Sequence, residues 1–552
     1  MAKSHQDLPE PNSDGEDDAD IRYAIALSLQ DQQSAMPQQT AAAAPEASQS
    51  LGLLGLDRKK MEEERLARLA GSKRLRSPDA IQVESGPPRK KNVAARAVSA
   101  QDTNANACKM PFTEGVVKRT WVRGYPRTGD DIKIEEVLQR QDLQLAVVSS
   151  YQWDEEWLLA KVDLHRTKML FVAFAAHDSQ KTAIRANMPS SIKFCFPEMH
   201  GPGSMHSKLQ LLRFPSHLRV VVPTGNLVPY DWGETGAMEN MVFLIDLPRL
   251  KDGVSFVPTP FSTELMRFVR ALGLDDKMVT SLSNYDFCKT AHVGFVFSRP
   301  GSHQDESEMK RIGYCGLATA VAELGLASTA PIQIDVATAS LGSIKWDWVE
   351  SVYKACQGND GIKEHGRSAT GAARKSGNKR QCEWLKDRFR IYFPTNQTVT
   401  DSRGGSAAAG TICFQASWWR RPDFPTELMR DCINTRPGLL MHTKIILVHR
   451  LGLGDAKAGG WAYVGSANLS ESAWGRMTTD RQTRKAKMNC RNWECGVVVP
   501  AGGKTSSDSK PVSGGTGGDD DAVADVVVFD GTVPVPMQVP ARPNREPWFY
   551  AS

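Results

Sequence analysis

Met205-His206-Ser207-Lys208-Leu209 recurs as Met441-His442-Thr443-Lys444-Ile445, each copy leading into an apolar run. A lone His-x-Lys carries little information, but here two more features are repeated with it. RVVVPTGNL places Asn226 twenty residues after His206, and AYVGSANLS places Asn468 twenty-six after His442. A carboxylate follows each: Glu239 before MVFLIDLP, and Glu494 in NWECGVVVP. Three matched elements in one order describe a duplicated half-site.

Alternation along an extended strand puts His206 and Lys208 on one face, and His442 and Lys444 on another. If the halves pack about a pseudo-twofold axis, two His, two Lys and two Asn converge. Such a pocket suits a phosphate. The lysines balance its charge, the amides donate hydrogen bonds, and the histidines offer one nucleophile and one proton carrier. No carboxylate cluster suited to Mg²⁺ and no Cys/His grouping at zinc spacing accompanies them, so neither metal nor cofactor is expected.

Around these motifs the chain alternates strands and helices. LQLAVVSS (143–150), KMLFVAFA (168–175), HLRVVVPT (217–224) and NMVFLIDL (240–247) read as buried strands, with helical spacing at 154–162 and 262–272. The expected class is α/β, with two domains, 108–330 and 331–552. The Gly/Ser/charge-rich stretches 358–380 and 501–522 read as surface insertions.

Residues 1–107 differ in kind. They hold one aromatic, Tyr23, and read as a disordered tail. Before residue 32 eight acids face Lys3 and Arg22, whereas from Arg58 to Arg96 twelve bases face five acids. The whole 552-residue chain balances 68 Lys+Arg against 63 Asp+Glu, a net charge of +5, so local clusters rather than bulk charge must identify partners. No apolar run is long enough to span a bilayer, and no membrane partner is expected. The N-terminus lacks a signal-peptide pattern, which makes the ten cysteines expected thiols of cytosol or nucleus. The basic clusters within 58–96 favour the nucleus.

The duplicated HxK resembles the signature of the phospholipase D superfamily. That superfamily carries an Asp further along each motif, where this chain has Arg213 and His449. The missing Asp and the downstream Asn of GNL and GSANLS resemble the tyrosyl-DNA phosphodiesterase 1 family, as do YQWDEEWL (151–158), TASLGS (338–343) and SANLSESAWG (466–475). The resemblance implies two phospholipase D-like α/β sandwich domains related by pseudo-twofold symmetry. It implies a metal-independent hydrolase acting on DNA 3′ ends that carry tyrosine or peptide. His206 would attack the 3′-phosphodiester as nucleophile, and His442 would act as general acid, then base. Lys208, Lys444, Asn226 and Asn468 would hold the phosphate oxygens, Glu239 and Glu494 would orient the imidazoles, and Ser340, Gly342, Ser343 and Ser470 would contact the DNA backbone. Family members often carry a base-stacking aromatic just before the first HxK; HGPGSMHSK (200–208) has none.

In the tail, DDADIRYAIALSLQDQ resembles a ubiquitin-interacting motif, a helix at 17–32 meeting ubiquitin through Ile21, Ala24, Ile25 and Ser28. Two other readings stand beside the repair enzyme, which is expected to be a monomer. One is a general phospholipase D-type nuclease or lipid hydrolase, opposed by the missing Asp positions. The other is a ubiquitin-dependent adaptor that binds DNA ends without catalysis, opposed by the presence of all six pocket residues.

Overall fold

The computed structural model describes residues 110–550 apart from 176, 187, 202, 366–381, 451–458 and 503–525. The helix expected at 17–32, with Ile21, Ala24, Ile25 and Ser28, and the basic clusters of 58–96 lie outside the described residues, as does most of both insertions.

Two mixed sheets carry the fold. Across the first run Asp131–Ile132, Val116–Thr120, Met241–Pro248, His217–Pro223, Gln210–Arg213, Leu145–Ser149, Lys168–Val172 and Ile192–Cys195. Across the second run Gly294–Ser298, Glu494–Ala501, Gly460–Gly465, Ile445–Arg450, Ile332–Ala337, Phe389–Phe393 and Met429–Asp431. From Val116–Thr120 onward the first sheet has the same sequence of pairings as the second: four antiparallel neighbours in series, then two parallel steps. The parallel steps need crossovers, supplied in the first sheet by helices Glu155–Ala160 and Asp178–Arg185.

HLRVVVP and IILVHR are buried along nearly their whole length because both faces of each sheet are covered, which is why they read as continuous apolar runs. The strand Gly460–Gly465 lies against His217–Pro223 and Met241–Pro248, so the sheets meet at the strands that follow each HxK. Helix Pro260–Ala271 helps to fill the core. Thr259 caps it by accepting from the Ser262 N–H at 3.2 Å, and Pro260 occupies its first turn, where a missing N–H costs nothing. Its Phe261 and Phe268 pack against Phe295 and Phe297, and Phe268 meets Trp493.

The expected division at 330 moves toward the N-terminus. Gly294–Ser298 pairs with Glu494–Cys495-Gly-Val-Val498 at the edge where Val116–Thr120 pairs with Met241–Leu244, so the second repeat is under way by residue 294. Local pattern cannot show this, because the partner strand lies some two hundred residues downstream.

Candidate active site

Each HxK occupies an extended link that leads into its strand, and each link is pinned by the opposite half. Met205 bridges Trp493, and the His206 N–H donates to the Trp493 carbonyl at 3.0 Å. Leu440–Met441 pairs in parallel with Met238–Glu239, and the His442 N–H donates to the Glu239 carbonyl at 3.2 Å. Both ammonium groups curl back onto their own motif. Lys208 Nζ donates to the His206 carbonyl at 2.9 Å; Lys444 Nζ donates to the His442 carbonyl at 2.5 Å and to the Thr224 carbonyl at 3.1 Å. His206, Lys208, Asn226, His442 and Lys444 are all buried.

Each imidazole is held by a carboxylate from the other half. Glu494 Oε2 lies 2.9 Å from His206 Nδ1, and Asp231 Oδ2 lies 3.0 Å from His442 Nδ1. An ionised carboxylate only accepts, so Nδ1 carries the hydrogen in each ring and the Nε2 lone pair is left for chemistry. The carboxylates are themselves fixed. Ser466 Oγ and Asn492 Nδ2 donate to Glu494 at 2.5 and 3.0 Å. The Asn226 N–H and Asn240 Nδ2 donate to Asp231 at 2.6 and 3.1 Å.

Glu239 does not orient an imidazole, which corrects the expectation drawn from sequence. The residue structurally equivalent to Glu494 is Asn240. Thr224 N and Ser466 N donate to the carbonyls of Met241 and Cys495, and the Thr224 and Ser466 hydroxyls donate to Asn240 and Glu494 respectively. Glu239 is therefore one residue out of register, and in a period-2 strand that sends its side chain to the other face. There it meets Arg119 at 2.6 Å and Arg436 at 3.1 Å. Asp231, in the turn VPYDWGE after Asn226, takes the orienting role. Sequence offered only its place soon after the GNL turn as a signal.

The two asparagines present their amides alike. Asn226 Oδ1 accepts from the Gln152 N–H at 3.4 Å, and Asn468 Oδ1 accepts from the Ser340 N–H at 3.1 Å. These backbone donors fix which end is oxygen, leaving each Nδ2 to donate.

Burial dominates the electrostatics. It pushes His442 down to about 4 against the pull of Asp231, and pushes His206 down although Glu494 opposes it. It lowers Lys208 to about 8, and Lys444, which also faces Lys208, falls well below the usual range. Burial raises Glu494 and Asp231, but His206 and His442 beside them outweigh it and hold both carboxyls low. An arriving anion would favour the charged forms of both lysines.

The four residues expected at a DNA backbone gather beside Asn468. Leu341 bridges Leu469, and the Gly342 N–H donates to the Leu469 carbonyl at 3.2 Å. A Cβ on Gly342 would come 2.8 Å from Ser470 Cβ, so packing alone accounts for the glycine. Ser470 caps the turn Glu471–Trp474, and Ser343 Oγ accepts from Arg421 at 3.2 Å. An aromatic does stand beside His206, though not from 200–206: the exposed Tyr151 ring lies 5.3 Å from the imidazole.

The sequence profile described as tyrosyl-DNA phosphodiesterase matches residues 116–545, which include both HxK motifs. The chain belongs to the tyrosyl-DNA phosphodiesterase family. It is 23% identical over 311 residues to a probable tyrosyl-DNA phosphodiesterase of Caenorhabditis elegans, covering 54% of this chain and 62% of that protein. It is 23% identical over 376 residues to tyrosyl-DNA phosphodiesterase 1 of Drosophila melanogaster, covering 66% and 58%. The matches thus span about three fifths of the length of these tyrosyl-DNA phosphodiesterase relatives. The yeast tyrosyl-DNA phosphodiesterase structure shares the fold, with a TM-score of 0.54 at 20% identity over 79% of this chain and all of that one.

Proposed function

We propose that the protein hydrolyses the phosphodiester between a DNA 3′ end and tyrosine, and other 3′-blocking adducts, through a phosphohistidine. The observation that carries this reading is the pairing of each Nδ1 with a carboxylate from the opposite half, which leaves two Nε2 atoms in a buried pocket with two ammonium groups and two amides. His206 Nε2 attacks phosphorus, a P–N bond forms, and the P–O bond to tyrosine breaks. The bound phosphate favours the doubly protonated form of His442, which delivers its Nε2 proton to the departing oxygen. His442 then takes a proton from water as the water oxygen attacks phosphorus and the P–N bond breaks, leaving a 3′-phosphate and free His206. Lys208, Lys444, Asn226 and Asn468 stabilise the charge that builds on the phosphoryl oxygens. Asp231 and Glu494 keep both rings in the required tautomer.

The roles assigned to the histidines follow from the family resemblance, since the geometry is nearly symmetric. Ser340, Gly342, Ser343 and Ser470 line the approach of the DNA strand in this reading. Ubiquitin is a partner of the 17–32 segment, the 58–96 clusters direct the protein to the nucleus, and it works as a monomer. The deciding experiment incubates purified protein with a 3′-phosphotyrosyl oligonucleotide in excess EDTA. Tyrosine release at the rate seen without chelator supports the reading, and loss restored by Mg²⁺ overturns the two-lysine pocket.

A further inference from the structure

Glu239 is buried completely, yet it carries no pocket function and is the centre of a charge knot joining the halves. Its Oε1 accepts from Arg119 Nε and Nη2 at 3.1 and 2.6 Å, and its Oε2 accepts from Arg436 Nη1 at 3.1 Å. Arg436 Nη2 pairs with Asp131. Arg119 goes on to Asn434 Oδ1 and Thr435 Oγ1, at 3.1 and 3.0 Å. Two arginines balance two carboxylates, so the buried charges are compensated. Arg119 and Asp131 come from the first sheet and Glu239 from the short strand Met238–Glu239 just before Met241–Pro248; residues 434–436 lead into the link that delivers His442.

The knot ends at the histidine. Five residues separate Arg436 from His442, and one residue of the first half holds both: the Glu239 side chain grips Arg436, and its carbonyl receives the His442 N–H at 3.2 Å. The Asp231 partner of the His442 ring also belongs to the first half. The other arm is built differently. The His206 segment is held by Asn492 Oδ1, which accepts from the Ser204 N–H at 3.1 Å, and by main-chain bonds to Trp493.

We infer that Arg436, Glu239 and Arg119 are positioning residues for His442, setting its imidazole against Asp231 while leaving His206 undisturbed. The inference rests on the proposed phosphohistidine chemistry for its kinetic consequence and on geometry alone for its spectroscopic one. Loosening the knot impairs the arm that must activate water, while the attacking arm keeps its geometry.

The test is Arg436→Met in the full chain, beside wild type and His442→Ala. Turnover of the 3′-phosphotyrosyl oligonucleotide should fall about tenfold, the scale of a lost outer support. The covalent enzyme–DNA species on a denaturing gel should rise several-fold, with KM little changed. In ¹⁵N-histidine-labelled protein the His442 Nδ1–H resonance should shift while that of His206 stays in place. Unchanged turnover, or slowed turnover with no rise in trapped species although His442→Ala traps, would overturn the inference. If His442→Ala traps nothing, the phosphohistidine reading fails instead, and an unmoved His442 resonance then rejects the positioning role by itself. Should Arg436→Met not fold, Arg119→Lys, at the less buried end of the knot, takes its place in every arm.

Discussion

The Glu494 carboxylate of the second repeat holds the His206 imidazole of the first, Oε2 to Nδ1 at 2.9 Å. Replacing it by Gln keeps the shape but lets the amide donate, which favours the tautomer with hydrogen on Nε2 and no lone pair toward phosphorus. Glu494→Gln should therefore slow the first step by about a hundredfold, at the upper end for such supports. Rapid-quench measurement of tyrosine release checks this, and an undiminished burst would refute it.

Asp231 stands in the same relation to His442, so Asp231→Asn should damage the second step more than the first. Tyrosine, with an unperturbed pKa near 10, can leave slowly without a proton donor. Asp231→Asn and His442→Ala should both accumulate an acid-labile covalent enzyme–DNA band, and His206→Ala should show neither band nor product. Trapping in the His206 variant alone would reverse the assignment of the two rings.

The pH dependence of stability follows from the burial of His442. The folded protein holds it at about 4 against an ordinary 6.5, so between those values the unfolded chain takes up a proton that the native state refuses. The contribution is fully present above pH 6.5 and is lost as pH falls toward 4, a change on the order of 3 kcal/mol. Urea midpoints at pH 7 and 4.5 should fall less steeply for His442→Asn than for wild type. Equal slopes would contradict the assignment.

Lys208, lowered to about 8, gives the opposite arm of the profile. A bound 3′-phosphate favours the ammonium form, so binding should draw a proton from solution once the free pocket has begun to lose one. Calorimetry of a 3′-phosphorylated oligonucleotide at pH 8.5, in two buffers of different ionisation enthalpy, should show proton uptake. Affinity should weaken as pH rises through 8, and Lys208→Met should abolish part of that dependence. A pH-independent Kd would count against the lysine as a phosphate ligand.

Gly342→Ala tests the turn beside Asn468. The added methyl meets Ser470 Cβ at 2.8 Å, so the turn must shift, at a cost of about 1–3 kcal/mol by the usual scale of overpacking. Because the Ser340 N–H also fixes Asn468, both Tm and kcat should fall. Retained values for both would mean that the turn is loosely coupled to the pocket.

Much of this site was legible in the chain because HxK and the GNL and SANLS turns are local patterns whose repetition excludes chance. The four strands read from apolar runs lie within a few residues of their observed limits. What escaped depended on pairing across the chain. The choice of Glu239 over Asn240 turned on a single residue of register, fixed by the Thr224 N–H to Met241 carbonyl bond at 2.8 Å. Asp231 had no counterpart at the matching place in the second repeat to announce it, and Tyr151 reaches His206 from a segment more than fifty residues earlier.

The crossed carboxylates also determine how the molecule fails. In the proposed chemistry the dangerous state is the one in which the enzyme is itself bonded to a broken DNA end, since a stalled intermediate would be a new lesion. Were each histidine supported from within its own repeat, a chain whose second repeat had opened would still attack and then remain stuck. With Glu494 supporting His206 and Asp231 supporting His442, separation of the repeats disarms attack and release together. In that chemistry a copy whose repeats have come apart neither attacks nor stalls on the DNA.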